Sequence, residues 1–427
     1  MNTLILAAIL TAAQAPKPDF IFMHVNVVPM DREHILVGKD VLVKDGKVLD
    51  IVDGYTYKAP EGVPTVDGGN TMFLMPGLCD MHVHVYYEDD FTLYLANGVT
   101  TIRNMSGKPK HLVWRGRLDR GELFGPRMIT AGPILSGKND NHPGFLNLST
   151  YADGVKEVES QAKAGYDFIK VYDPLPADAF RGAMDAAKRL HLPVAGHVNQ
   201  DLALDGVLNS GQACIEHCEQ LAYHTTFGDY DFSKCSEIAA KVKKAGVTVC
   251  PTVGVIHQFV TLHRNKQAVL NMPEWKYASP GVKEWWSGLS RDDSTENEIL
   301  VTWQRRMVRA LADADVPLIS GTDTFLFGFV PGFSLHHEFD FLADCGLSNY
   351  EVLKSTTSAP GDYLHMKIGR IEKGYLADMV LLPDNPLASL HNLDHIEGVM
   401  SRGVWHPKLE LQTKLAEVEK ANNRAAK

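Results

Sequence analysis

Residues 72–84 read MFLMPGLCDMHVH, an apolar run that ends in two histidines separated by one valine. Its length and apolar character mark a strand, and the two-residue period of a strand places His82 and His84 on the same side of it. Working outward, seven further stretches have the same look: GVTTIRNM (98–105), GPRMITAG (125–132), YDFIKVY (166–172), LPVAGHV (192–198), ACIEHC (213–218), VTVCPTV (247–253) and VPLISGTD (316–323). Helical stretches lie between them, and strands alternating with helices argue for a parallel sheet wrapped by helices. Eight such units in roughly 250 residues have the size of a (β/α)8 TIM barrel, so the fold class expected is α/β.

The flanks read differently. Short β-branched runs alternate with turn signals in FIFMHVNVVPM (20–30) and VLVKDGKVLDIVDG (41–54), where Asp45-Gly46 marks a hairpin. The pattern returns in YLADMVLLP (375–383) and IEGVMSRGVW (396–405), with Arg402-Gly403 as a tight turn. Segments 18–70 and 372–406 are therefore expected to pair into one small β-sandwich, with the barrel between them over 71–371. The end of the chain, 407–427, reads as a polar helical tail on the surface. Two long connections, Pro133–Tyr151 and Gly254–Asp293, follow the third and seventh strands; loops after barrel strands face the functional side, so both are candidate lids, substrate walls or subunit contacts.

With 427 residues, 45% hydrophobic and 22% charged, the chain has a globular composition and room for one large domain and a smaller one. The net charge of −10, without a long basic run, argues against nucleic acid as a partner. The opening MNTLILAAILTAAQAP carries an apolar stretch too short to span a bilayer, followed by small residues. It reads as a signal peptide over 1–15, implying a periplasmic or secreted protein; a buried N-terminal segment of a cytoplasmic protein is the alternative. No other run is long enough for a membrane span. The six cysteines are dispersed without paired spacing and read as core residues, although Cys214 and Cys218 beside His217 invite comparison with soft zinc ligands.

Chemistry gathers at the strand ends. Besides His82 and His84, the fourth strand ends on Lys170, the fifth on His197, the sixth on His217 and the eighth on Asp323. Each alone is open to a bland reading: a snorkelling lysine, a hydrogen-bonded core histidine. Five strands delivering metal-competent side chains to one rim is a different matter, because imidazole and carboxylate together suit Zn2+.

PGLCDMHVH, GVTTIRN, GPRMITAGP, DFIKVY, GHV, IEHCEQL, SGTD and IGRIEKGYLADMVLL together resemble the amidohydrolase superfamily, from about Val27 to Trp405. The resemblance implies two divalent metal ions, Zn2+ by preference, bridged by a carboxylated Lys170. It also implies that His82 and His84 hold the buried ion and His197 and His217 the outer one, with Asp323 as both ligand and proton shuttle. The charge logic agrees: a lysine ammonium beside two cations would be repelled, whereas a carbamate anion would not. The chain looks most similar to the Xaa-Pro dipeptidase and imidazolonepropionase-like branch, and Lys170 argues against the one-metal members of it. The implied reaction is metal-dependent hydrolysis of a linear amide, in a dipeptide or N-acyl amino acid, by a metal-activated water.

Two other readings stay open, a cyclic amide hydrolase of the hydantoinase or dihydroorotase kind and an inactive metal-binding barrel. Asp323 counts against the second, since a dead homologue has no need of a shuttle. In LSGKNDNHPGF (135–145) His142 stands where the branch carries a histidine that polarises the substrate carbonyl. Tyr223, His224 and His257 lie on rim loops as candidate substrate contacts or plain surface residues. Arg103 is a candidate carboxylate clamp or a structural ion pair. Tyr86, Tyr87, Phe325, Phe327, Phe329 and Phe333 suggest an aromatic substrate wall or loop packing, and Glu88-Asp89-Asp90 a site for a cationic group or a solvated run. The expected partner is a small amide or peptide, in a homo-oligomer.

Overall fold

The run at 72–84 proves to be two strands in two different sheets. A computed structural model describes residues 17–138, 140–223, 230–289, 295–324 and 326–425, with backbone only at 223, 295–297 and 424–425. The expected signal segment, His224 and Phe325 lie outside the described residues, as does the side chain of Tyr223.

Five strands open the chain: β1 (Phe20–Val27), β2 (Leu36–Lys44), β3 (Lys47–Asp53), β4 (Thr65–Asp67) and β5 (Phe73–Pro76). Then come β6 (Leu78–Val83), β7 (Val99–Asn104), β8 (Arg127–Thr130), β9 (Leu135–Ser136), β10 (Leu146–Asn147), β11 (Ile169–Val171), β12 (Val194–Gly196), β13 (Cys214–Glu216) and β14 (Thr248–Cys250). The last three are β15 (Met379–Leu382), β16 (Gly398–Ser401) and β17 (Val404–Pro407).

Both chain ends meet in one eight-stranded sheet of order β17-β16-β15-β5-β1-β2-β3, with β4 on β1. The strand that joins the two ends is β5, parallel to β1 on one side and antiparallel to β15 on the other. One residue separates β5 from β6, and it is Gly77. A Cβ there would lie 2.2 Å from Thr100 Oγ1, so the chain passes β7 too closely for any side chain.

From β6 to β14 every pairing is parallel. One sheet runs β6-β7-β8 and the other β10-β9-β11-β12-β13-β14. A parallel bridge, Ala131 to Phe168, joins them. The expected eighth strand forms only isolated bridges, Leu318 to Val249 and Thr324 to Val83, but its backbone runs between β14 and β6. There Ile319 donates to Val249 O at 3.1 Å, and Met81 to Ser320 O at 2.8 Å. One cluster of small and medium apolar side chains draws on nearly all of these strands: Cys79 and Met81, Ala195, Cys214, Cys250 and Ile319, packed with Phe168 and Met105. All six cysteines are buried and unpaired, as core residues would be; the Cys214 and Cys218 thiols are pushed far up by burial, which disfavours the thiolate a zinc site needs.

Helices between the strands set their register. The helix Tyr151–Ala164, ahead of β11, starts at Thr150, which accepts from Asp153 N at 3.2 Å while the Asp153 carboxylate accepts from Thr150 N at 2.9 Å. It ends at Gly165 in the left-handed region, φ 91°. The 133–151 connection contributes β9 and β10 and pairs with β11 through Leu135 and Val171.

The C-terminal segment departs from expectation. It is helical over Lys408–Ala425, yet Leu411 and Val418 are buried and Asn422 Nδ2 donates to Tyr277 O at 2.8 Å. Val418 packs in one cluster with Trp286, Leu262 and Val282 of the 254–293 connection and with Phe327. Its polar composition hid an apolar stripe, Leu411, Leu415 and Val418, and the helix is docked rather than solvated. The same packing answers for the aromatics after Asp323: Phe327 and Phe329 are buried core and Phe333 stacks on Tyr277, so they form no substrate wall. Among the described residues no helix is long and apolar enough to cross a membrane.

Candidate metal centre

His82, the penultimate residue of β6, is fully buried, and His84 follows two residues on. Lys170 lies within β11, His197 directly after β12 and His217 directly after β13. Asp323 ends the eighth segment. All six therefore sit at or near the carboxyl ends of parallel strands, where an α/β fold leaves a crevice. Two of them reach inward by backbone turns that ordinary residues avoid: His217 has φ 70° and Asp323 φ 60°, and Thr252, against His217, has φ 42°.

Asp323 is the meeting point. Its Oδ1 lies 3.0 Å from His84 Nε2 and 3.4 Å from His82 Nε2, and its Oδ2 3.8 Å from His217 Nδ1. The ring of His217 is 4.5 Å from that of His82 and 4.8 Å from that of His197. His82, His217 and Asp323 offer ligand atoms all within 4.8 Å of one another, a compact trio that can hold a divalent cation.

His82 Nδ1 lies 2.8 Å from Glu216 Oε2 and His197 Nδ1 3.2 Å from Asp173 Oδ1, whereas His217 Nδ1, the nitrogen that faces Asp323, also lies 2.8 Å from Thr252 Oγ1. Held this way, His82 and His197 present their remaining nitrogen to a metal. Burial pushes His82 and His197 down to about 4 and His217 well below its usual value, which favours the neutral imidazole that a ligand must be. Burial pushes Asp323 up, but the rings around it, His84 through a hydrogen bond, outweigh that and hold its carboxyl well below the usual carboxylate range.

Two atoms point to a missing partner. His82 Nε2 and Lys170 Nζ are buried and without a hydrogen bond among the described residues, an unusual state for polar atoms. Burial lowers the Lys170 pKa, against the pull of Glu216 and Asp323, which favours the neutral amine. A divalent ion would take the lone pair of the first atom, and a neutral amine beside it would not repel that ion, so the donor set fits divalent metal. A second trio, His82, Glu216 and Cys250, is also compact. Both Glu216 oxygens are taken, though, one by His82 and the other by Arg103 Nη2 at 2.6 Å, and that guanidinium repels a cation.

The remaining sequence candidates separate. His142, largely exposed, has Nδ1 2.5 Å from Asp140 Oδ1; its ring meets Phe145 and Tyr172, and Tyr172 lies 4.1 Å from His197. It stands beside the cluster with one aromatic ring between. His257 instead stacks on Phe341 at 4.4 Å, and none of its described contacts reaches the cluster. Arg103 is no clamp: it is buried, donating to Met81 O at 2.6 Å, to the Tyr363 hydroxyl at 3.0 Å and to Glu216. Glu88 pairs with Arg117 and Trp114, and Asp90 accepts from Tyr86 N and Tyr87 N, so two of the three acids are occupied structurally. Tyr86 and Tyr87 are about half exposed at the rim.

Gly321 explains the SGTD spelling. A Cβ at 321 would lie 2.6 Å from His82 Cβ and 2.7 Å from His82 N, and Asp80 ties the two segments by accepting from Thr322 N at 3.1 Å. Gly321→Ala is expected to cost about 1–3 kcal/mol through overpacking, seen as a lower Tm together with weaker metal binding. A melting curve and metal titration equal to those of the parent would refute the close contact.

Neutral imidazoles, a buried amine and a carboxylate converging at the ends of parallel strands are the equipment of a metal-assisted hydrolase. The chain belongs to the amidohydrolase family, whose model matches residues 73–406, and is a hydrolase acting on amide or peptide bonds. It is 23% identical to ochratoxinase from Aspergillus niger over 85% of this chain and 79% of that one. Among solved structures, bottromycin amidohydrolase superposes with a TM-score of 0.76 at 25% identity, covering 94% of this chain and 90% of that one. A Xaa-Pro dipeptidase with bound methionine gives 0.71 at 19% identity, over 91% and 99%.

Proposed function

We propose that the protein hydrolyses a linear amide bond, in a dipeptide or an N-acyl amino acid, at a two-metal site on the mouth of an eight-stranded barrel. The parallel bridges that link β8 to the β11 sheet, β14 to 318 and 324 back to β6 support the closed ring. The convergence of His82, His84 and His217 on Asp323 beside the unpartnered Lys170 carries the reading. His82, His84, Asp323, His197, His217 and a carboxylated Lys170 would hold two divalent ions, Zn2+ by the chemistry of the set. Bound there, the ions would supply Lewis acidity for the scissile carbonyl and a water acidic enough to ionise near neutral pH.

The protein's own groups do the rest. Asp323, ionised and anchored by His84, takes a proton from the attacking water and hands it to the leaving amine, as base and then acid. His142, steadied by Asp140, is placed to hydrogen-bond the substrate carbonyl or its carboxylate once the 133–151 connection closes on it. Tyr86 and Tyr87 offer an apolar wall. The names of the dipeptidase and ochratoxinase relatives are in keeping with a linear amide. The chain's first residues support export on their apolar pattern alone.

Metal-loaded protein should release free amino acid from a panel of dipeptides and N-acyl amino acids, with about two Zn per chain by elemental analysis. Turnover confined to hydantoins and dihydropyrimidines would replace this reading with a cyclic amide hydrolase.

A further inference from the structure

Arg103 and Glu216 form a buried ion pair that the chemistry of hydrolysis leaves unused. Glu216 has no exposed surface and Arg103 almost none, and the guanidinium lies between the rings of Phe168 and Tyr363, 5.5 and 5.1 Å from their centroids. An ion pair in such a place is costly to bury and is often replaceable by apolar residues without loss of stability, so its presence against a metal-site histidine asks for a reason.

The hydrogen bonds supply one. A guanidinium only donates, so the Glu216 oxygen it meets at 2.6 Å must accept. The other oxygen, 2.8 Å from His82 Nδ1, belongs to the same carboxylate and accepts as well. His82 must then carry its proton on Nδ1, which leaves the lone pair on Nε2, the buried atom with no other partner that faces Asp323.

We infer that Arg103 and Glu216 are positioning residues that fix the tautomer of His82, Arg103 by polarising Glu216 and Glu216 by demanding a proton from Nδ1. This rests on the metal-site reading above. It distinguishes two variants that a merely structural pair would not. In Glu216→Gln, Arg103 still claims the oxygen, so the new amide turns its NH2 to His82, and Nδ1 must accept, placing the proton on Nε2 where the metal should bind. In Arg103→Met/Glu216→Gln the claim is gone, and the amide can turn its oxygen to His82 and restore the Nδ1 proton.

Zinc titration of metal-free protein tests this. Glu216→Gln should bind zinc about 10–100-fold more weakly than the parent, the range seen for residues that orient a metal ligand, and the double variant should recover part of that loss. A folded Glu216→Gln with the parent's zinc affinity, or a double variant no tighter than the single, overturns the inference. Histidine-selective 15N spectra of the parent protein read the tautomer without any change to the pair: an Nδ1 proton on His82, assigned by its loss in His82→Asn, is expected, and an Nε2 proton overturns the idea even if the variants do not fold. Should His82→Asn leave zinc binding intact, the metal-site reading itself falls; intact parent binding with an unaffected Glu216→Gln sinks only the tautomer inference.

Discussion

Asp323→Asn is expected to lower kcat by about 10²–10⁴-fold, the usual contribution of a positioned acid and base. The amide keeps the shape of the carboxylate and an oxygen able to accept from His84 Nε2, now 3.0 Å from Asp323 Oδ1, so the fold and most of the ligand geometry persist. Lost is the capacity to take a proton: an amide is not a base near neutral pH, and the amine would have to leave unprotonated. The loss should fall on kcat more than on KM, because the substrate contacts proposed above, His142, Tyr86 and Tyr87, lie elsewhere. Steady-state kinetics beside elemental analysis makes the comparison, and an enzyme with its metal in place and kcat within about threefold of the parent excludes Asp323 as the shuttle.

Lys170→Ala should act through a different quantity, the metal itself. Lys170 is 1% exposed, and its Nζ finds no hydrogen bond among the described residues. A neutral amine there can take up carbon dioxide and release a proton to become a carbamate, an anion able to bridge two cations. Removing it should cut the zinc content from about two to about one or fewer per chain and cost several kcal/mol of transition-state stabilisation, about 10³-fold in kcat/KM. Alanine also leaves a gap the size of the missing chain, so a short carboxylate such as acetate should restore part of both metal content and rate. If Lys170→Ala retains its full metal content and rate, the lysine is a structural residue and the site uses one ion or another bridge.

Much of the site was legible because strands impose a period and ligands come at strand ends. His82 and His84, Lys170, His197, His217 and Asp323 all close apolar runs, and the structure brings them to one region. Glu216 was not legible by that rule. It neighbours His217, and strict alternation sends adjacent residues to opposite faces, but the left-handed turn at His217 breaks the alternation and both side chains serve the same centre. The available signal was of another kind: an acid inside ACIEHC and a base inside GVTTIRN, each in a run too apolar to leave a charge unpaired. Arg103 was seen from that run but given two roles, and only the position of Glu216 decides between them.

Composition misled where few residues carried the packing. Leu411, Leu415 and Val418 stand at i, i+4 and i+7 of a charged helix, a helical stripe that overall composition masks, and Leu415 and Val418 dock it on the 254–293 connection. The aromatics after Asp323 were ambiguous because core and pocket favour the same side chains, and Phe327 and Phe329 turned out to be core. The break at Gly77 was invisible to hydropathy, since both halves of 72–84 are equally apolar and only the partners differ.

That single-residue step from β5 to β6 also bears on how the protein is made. The strand that carries His82 is held, through β5, by β15 at Met379–Leu382, which leaves the ribosome about 300 residues later, on the order of 15–60 s at ordinary elongation rates. Throughout that interval β5 has β1 beside it and an open edge on its other side. The nascent chain thus carries His82 and His84, its first candidate ligands, on an incompletely anchored strand until translation is nearly over, and a metal ion captured early would meet histidines whose neighbours have yet to be synthesised.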